Sequence, residues 1–304
     1  MAKKVILAGG SGFLGRSLAE YLLVKGYEVV IFSRGQARQE NGIRYVQWDG
    51  THVGEWVREI DGSYAVINFT GKSVNCIYTK KNREEIMRSR LDSVQVLDQA
   101  IGQCDHPPQA FVQAGSLAIF GDTTALCDED APHGTGFSVE VCQAWEQAFF
   151  AQELPATRKV MLRIGFVLGK HGGALEPLMK LVSLNLGGTV GSGRQYISWL
   201  HIDDCNEMFL QAMELSQMSG IYNATSPAAV TNREFMAALR KVMNKGWSPP
   251  APAPLVWLGA YLFLQTEPSL ALTGRNCVPK RLMDQGFRFQ HTDLENALRE
   301  LIHS

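Results

Sequence analysis

The sequence predicts an α/β fold: a doubly wound parallel sheet, followed by a smaller and mainly helical C-terminal region. Three observations carry that expectation. A glycine turn joins an apolar run to a helical stripe at the N-terminus (VILAGGSGFLG, Val5 to Gly15), apolar runs then alternate with helical patterns, and after Ile164 the alternation loosens into glycine-rich loops. Alternation of this kind implies parallel strands with helices on both faces.

The opening turn says most. Val5, Ile6 and Leu7 read as a buried strand, and Leu14, Leu18, Tyr21 and Leu22 as the inward stripe of a helix that starts near Phe13. Gly9, Gly12 and Gly15 stand between them at i, i+3 and i+6. The first suits a tight turn, the second lets main chain approach a pyrophosphate, and the third lets the helix pack closely on the strand. Free N–H groups and the helix dipole then face phosphate, with Ser11, Phe13 and Leu14 completing the cradle. Dinucleotide binding is the expectation; a plain strand-to-helix turn is the alternative.

The second strand, 28–32 (EVVIF), ends in Ser33-Arg34. At this position an acidic side chain would suit an adenosine ribose, whereas a guanidinium and a hydroxyl suit a 2′-phosphate, so NADP (NADPH) is favoured over NAD. A solvated loop arginine is the competing reading. A third strand, 44–48, leads to Asp49, which either bonds the adenine amino group or begins a turn with Gly50.

Further strands are expected at 65–69, 110–114 and 160–164. Between them, a long helix at 80–104 presents Met87, Leu91, Val94 and Ile101 to the sheet, and a helix at 138–151 carries Val141, Trp145 and Phe149. Later come glycine loops at 169–173 and 187–193, a helix at 203–215, a strand at 221–223 and a helix from Asn232. The proline cluster Pro249, Pro250, Pro252 and Pro254 marks a boundary between a unit of 1–246 and one of 247–304, which ends in a helix at 294–302. The apolar stretch 255–264 is too short to span a bilayer and reads as a buried helix.

Composition narrows the function classes. With 29 basic and 30 acidic residues the net charge is −1, so no global field draws nucleic acid or an anionic membrane. Six cysteines without a C-x-x-C pair argue against zinc and against a disulfide framework, and fit reduced thiols in the cytoplasm. The first strand begins almost at once, leaving no room for a secretory leader.

Taken together, GGSGFLG, Ser33-Arg34, Asn68-Phe69-Thr70-Gly71 and Ser116 ahead of Phe120-Gly121 resemble the extended short-chain dehydrogenase/reductase superfamily. More narrowly, the chain is similar to its atypical, epimerase-like branch. The marks are Ser89-Arg90, Trp145-Glu146, RIGFVLGKHGG from Arg163, WLHID from Trp199, Val278-Pro279 and Gly286-Phe287. The resemblance implies an NADP-binding Rossmann domain, with Thr70, Gly71 and Ser116 among the cofactor contacts, and a small C-terminal domain of unassigned role.

Superfamily chemistry needs a proton-transferring tyrosine, a lysine that lowers its pKa, and a serine that polarises the carbonyl. Ser116 falls on the serine position. Anchored on Glu146, however, the positions of tyrosine and lysine hold Ser138 and Cys142, and neither can replace them. Lys72, just after the fourth strand, and His201, flanked by Tyr196 and Asp203, are the remaining candidates for a cation and an acid or base. Each has a structural alternative, as does Cys142, which reads better as a small buried hydrophobe than as a nucleophile. The segment 185–193 (NLGGTVGSG) with Arg194 either receives an anionic or sugar group or is a loop without a ligand.

The expectation is thus an NADP(H)-dependent oxidoreductase or epimerase-like enzyme acting on a small polar substrate. A non-catalytic NADPH-binding sensor or scaffold is the rival, and a nucleotide-sugar epimerase or dehydratase ranks third. Oligomeric state stays open, a homodimer included.

Overall fold

A computed structural model describes residues 2–170, 172–261 and 265–303. Its first half runs β1 (Lys4–Ala8), α1 (Phe13–Val24), β2 (Glu28–Ser33), β3 (Arg38–Glu40), β4 (Ile43–Gln47), α2 (Val57–Ile60), β5 (Ala65–Asn68), α3 (Lys80–Gly102) and β6 (Ala110–Ser116). After a 3-10 turn (Leu117–Phe120) come β7 (Thr123–Cys127), α4 (Phe137–Ala151), β8 (Arg158–Ile164), β9 (Phe166–Leu168), α5 (Leu175–Ser183), β10 (Tyr196–Ile197), β11 (Trp199–His201), α6 (Ile202–Glu214), β12 (Gly220–Ala224), β13 (Val230–Thr231) and α7 (Asn232–Val242). The C-terminal stretch holds α8 (Ala253–Gly259), α9 (Ser269–Leu272), β14 (Arg275–Cys277), α10 (Lys280–Asp284) and α11 (Leu294–His303).

The central sheet has eight strands in the order β12-β8-β6-β5-β1-β2-β4-β3, all parallel except the edge strand β3. From β1 the chain winds outward through β2 and β4, then returns to β5 on the other side. That reversal between β1 and β5 is where open α/β sheets bind ligands, outside the carboxyl ends of the strands.

The strands are continuously apolar because both faces are covered. Alternate residues feed two cores. Val5, Leu7, Ile31, Ile67, Val112 and Leu162 pack with Leu18 and Leu22 of α1 and with Met208 and Phe209 of α6. Ile6, Val30, Phe32, Val66, Phe111 and Met161 pack with Val94, Leu97 and Ile101 of α3 and with Trp145 and Phe149 of α4.

Two expectations need correction. On α3 the sealed positions are Ile86, Ser93, Val94, Val96, Leu97, Asp98, Ala100 and Ile101, while Met87 and Leu91 are half-buried, because α3 packs on α4 as well as on the sheet. The stretch from Leu255 does start a helix, α8, yet Leu255, Trp257, Leu258 and Tyr261 are all exposed. Residues 262–264 of that stretch lie outside the described residues. Among the described residues no helix is long and apolar enough to cross a membrane.

Residues beyond the proline cluster share the first core rather than building their own. Leu282, Phe287, Leu294, Ala297, Leu298 and Leu301 belong to the same cluster as β1 and α6. β14 pairs in parallel with β7, and buried Glu129 accepts the Asn223 N–H at 3.0 Å and the Arg281 N–H at 3.3 Å. Such pairing ties the C-terminal stretch to the loop that follows β6.

Candidate active site at the β1–α1 crossover

At the end of β1 the Gly9 N–H donates to Phe32 O at 2.9 Å, and Gly9 takes φ +68°. A Cβ there would lie 2.6 Å from Thr70 Oγ1, so only glycine fits both the backbone angle and the approach of β5's exit loop. One at Gly15 would collide with the backbone of Gly10, which is what close packing of α1 on the turn requires. Gly12, the N-cap of α1, meets no protein atom within 4 Å of its Cβ position, and no side chain caps the helix. Its first N–H groups are therefore available to an anion. Sequence reasoning missed Gly10, where a Cβ would stand 2.7 Å from Leu7 Cβ; the adjacent glycine pair was the available signal.

Ser11 is exposed and Leu14 packs against the core. Phe13 explains a distant motif. Its ring lies 2.5 Å from the Cβ position of Gly169, 3.0 Å from that of Gly172 and 2.9 Å from that of Gly173, so the loop after β9 is glycine-rich to receive it.

Across the crevice, Thr70 donates its N–H to Asn68 Oδ1 at 2.9 Å, and buried Asn68 is fixed by Ser93 and Gln113. The Thr70 hydroxyl is itself buried without a hydrogen-bond partner. An orphaned hydroxyl beside a cradle that a Cβ would fill is what a dinucleotide pyrophosphate and ribose would complete. Gly71 lies under the Arg90 guanidinium, whose Cζ is 3.1 Å from its Cβ position.

At the end of β2, Ser33 is buried and Arg34 is exposed with no ion pair among the described residues. A second guanidinium, unnoticed in the sequence, stands nearby. Arg38 lies over Tyr45, its Cζ 3.7 Å from the ring centroid, with Nη1 3.6 Å from the Cβ position of Gly35 and Nε donating to Glu40 at 3.2 Å. Asp49 serves the turn: Oδ1 accepts the N–H groups of Thr51 at 2.8 Å and His52 at 3.0 Å, while Oδ2 meets His52 Nδ1 at 2.7 Å. These bonds hold its carboxyl far below the usual range, the His52 ring contributing most.

The catalytic candidates fare differently. Ser116, at the end of β6, accepts the Ala118 N–H at 3.2 Å and keeps its own proton to donate. Lys72 Nζ is engaged by Glu85 and, at 2.8 Å, by Asn82 Oδ1, so its charge is spent on α3. His201 caps α6 by accepting the Asp203 N–H at 3.2 Å and stacks on His291 with centroids 3.7 Å apart. Burial, then His291, pull its pKa down to about 4, leaving a neutral structural imidazole. Cys142 is buried and its thiol is pushed up to about 12 by desolvation, so it is inert.

His201, Asp203, His291 and Glu300 offer ligand atoms within 4.8 Å of one another. His201 Nδ1 serves its helix cap while its buried Nε2 has no hydrogen-bond partner among the described residues, and His291 lies 3.8 Å from Asp203 and 3.6 Å from Glu300, so the group links α6 to α11.

The 185–194 segment is a seam. The N–H groups of Val190, Gly191 and Gly193 go to Asn232 Oδ1, Ala251 O and Val190 O, which removes them as anion donors. A Cβ at Gly188 would collide with Pro249 O, the cause of that glycine.

A doubly wound sheet with a glycine crossover at its switch point defines a dinucleotide-binding α/β protein of the short-chain dehydrogenase type. The family model for the NAD dependent epimerase/dehydratase family matches residues 5–225, and a domain of unknown function (DUF1731) matches 251–301. The chain belongs to that epimerase/dehydratase family, in its atypical branch. It is 33% identical over 307 residues to the epimerase family protein SDR39U1 of Bos taurus, covering 98% of this chain and 99% of the relative. Identity to the epimerase family protein YfhF of Bacillus subtilis (strain 168) is 32%, covering 98% and 97%. Among solved structures, the human epimerase family protein SDR39U1 (isoform 2) with NADPH superposes with a TM-score of 0.87 at 29% identity, covering 98% of each chain. A nucleoside-diphosphate sugar epimerase from Corynebacterium glutamicum gives 0.78 at 26% identity, covering 99% of this chain and 58% of the other.

Proposed function

We propose that this protein is an NADP(H)-dependent oxidoreductase that moves hydride to or from a small polar substrate between the sheet and the later loops. The observation that carries the cofactor choice is the unpaired Arg34 guanidinium beside buried Ser33, with Arg38 adjoining it, at the end of β2. Guanidinium groups bind a 2′-phosphate by charge-assisted hydrogen bonds. The human relative's structure with NADPH supports the same choice.

Gly9, Gly12 and the first N–H groups of α1 would hold the pyrophosphate, and the Thr70 hydroxyl would gain its missing partner. The bound nicotinamide supplies hydride chemistry. Ser116 orients the reacting oxygen by donating the proton that its capping bond leaves free. Fluorescence titration tests the cofactor claim. Micromolar binding of NADPH with weaker binding of NADH is expected, and a preference for NADH overturns it.

The second reading, a non-catalytic NADPH-binding sensor, is favoured by Ser138 and Cys142 standing where tyrosine and lysine belong. A substrate screen that follows NADPH oxidation separates the two. Turnover above background favours the enzyme, and its absence, with capture of a partner only in the presence of cofactor, favours the sensor.

A further inference from the structure

Three guanidinium groups converge on the face of α4 that lacks tyrosine and lysine, and they are not alike: Arg163 is buried, whereas Arg90 and Arg275 are half-buried. Arg163 is neutralised: Nε and Nη2 donate to Glu146 at 2.8 and 2.9 Å, and Nη1 donates to Glu129 O at 3.0 Å. Arg90 and Arg275 have no carboxylate within ion-pair distance among the described residues. Arg90 Nη1 donates only to the carbonyls of Lys72 at 3.2 Å and Ile86 at 2.9 Å, and its Cζ stands 4.9 Å from the Trp145 ring centroid. Arg275 uses Nε on Gly121 O at 3.2 Å, with no hydrogen bond from either terminal nitrogen among the described residues.

Two half-buried cations outside any ion pair among the described residues can receive an anion, although the Asp122 carboxylate lies within electrostatic reach of Arg275. Desolvation lowers the pKa of both groups. Both lie within electrostatic reach of Cys142 and of Tyr78.

Tyr78 reaches the same place from the loop after β5. Its ring packs edge-on against Phe137 with centroids 5.1 Å apart, and its hydroxyl, buried without a hydrogen-bond partner, lies beside Ser138. Ser138 is the position where the superfamily tyrosine is expected. Burial raises the phenol's pKa, outweighing the opposite pull of Ser138 and Arg90, so the hydroxyl stays protonated at neutral pH.

We infer that Arg90 and Arg275 clamp an anionic group, carboxylate or phosphate, of a carbonyl substrate, and that the Tyr78 hydroxyl is the proton donor of the reaction. This rests on the oxidoreductase reading above. Hydride from the reduced nicotinamide forms the new C–H bond, the carbonyl π pair moves to oxygen, and that oxygen takes the Tyr78 proton. NADPH leaves as NADP+, and solvent returns a proton to the tyrosinate. The C-terminal stretch thereby acquires a task, since β14 delivers Arg275 through its pairing with β7. Access requires the 72–79 loop to part from the C-terminal stretch, to which the Tyr78 N–H is bonded through Glu267 at 3.3 Å.

Calorimetry on NADPH-saturated protein tests the clamp with two probes, malonate and inorganic phosphate. One of them should bind, and Arg275→Gln should weaken it at least about 10-fold while leaving NADPH binding and the melting temperature unchanged, with partial recovery in Arg275→Lys. Failure of both anions to bind, or equal binding by Arg275→Gln, overturns the clamp. Should Arg275→Gln melt early, the Arg275→Lys titration decides: partial or full anion affinity supports a charge clamp, and none overturns it. NADPH oxidation with pyruvate and with dihydroxyacetone phosphate tests the donor. Tyr78→Phe should lower kcat about 100-fold or more with KM and anion affinity unchanged. An unchanged kcat, or anion binding without turnover of either ketone in wild type, overturns the role of Tyr78. Loss of NADPH binding itself would instead count against the cofactor reading.

Discussion

The two sides of the crevice are built on opposite plans. The cofactor side is local: Gly9 to Gly15 are consecutive, and Gly9, Gly10 and Gly15 answer to a neighbour a few residues away or to Thr70, while Gly12 faces open space. The substrate side is assembled from distant segments, with Ser116 from β6, Tyr78 and Arg90 from around α3, Glu146 from α4 and Arg275 from β14. A local site tolerates change elsewhere in the chain, whereas a scattered one depends on every long-range contact that aligns it. The charges differ in the same way. Arg34 faces solvent at negligible cost, while Arg163 is buried and Arg90 and Arg275 are half-buried.

The largest break in this comparison is Glu146→Gln, which strands the Arg163 charge in the interior. Unfolding free energy in urea should fall by about 3–5 kcal/mol. A loss below about 1 kcal/mol would mean that the pair does not hold α4 to β8. On the cofactor side, Gly15→Ala forces a methyl into the Gly10 backbone and should lower stability by about 1–3 kcal/mol while abolishing NADPH binding. Retained micromolar binding would contradict close packing as the reason for that glycine.

Arg34→Ser sharpens the contrast without touching the fold. NADPH affinity should drop roughly 10–100-fold with NADH affinity unchanged, read by fluorescence titration; an equal effect on both would separate Arg34 from the 2′-phosphate. The smallest effect concerns His201. Its folded pKa of about 4 lies below the ordinary value, so between them the unfolded chain binds more protons. The stabilisation is complete above about pH 6.5 and is lost as pH falls toward 4. His201→Asn, which retains a helix-capping acceptor, should flatten that acid slope in denaturation curves. An unchanged slope would assign it to other groups.

Much of the sheet was legible because strand and helix signals are local. β1, β2, β5 and β6 fall within a few residues of expectation, as do α3, α4 and α7. Open alternatives and errors arose where a distant partner decides. The 185–194 segment left an anion loop and a loop without a ligand open, and the N–H groups of Val190, Gly191 and Gly193 turn out to be taken by Asn232, Ala251 and Val190. Lys72 stood as a candidate cation beside a structural alternative, and α3 decides for the latter by supplying Glu85 and Asn82 to it. The 255–264 run read as buried, and apolar content alone does not reveal that α8 has no covering element among the described residues. Arg38 and Tyr78 carried no motif at all.

The sequence by itself determined the alternation of strands and helices that makes a doubly wound sheet, the glycine crossover and the absence of the usual tyrosine and lysine, because each of these is a pattern of near neighbours in the chain. Only the tertiary structure decided which charges are neutralised and which are left open. That outcome depends on burial and on N···O distances between segments such as β14 and β7, which no spacing along the chain records.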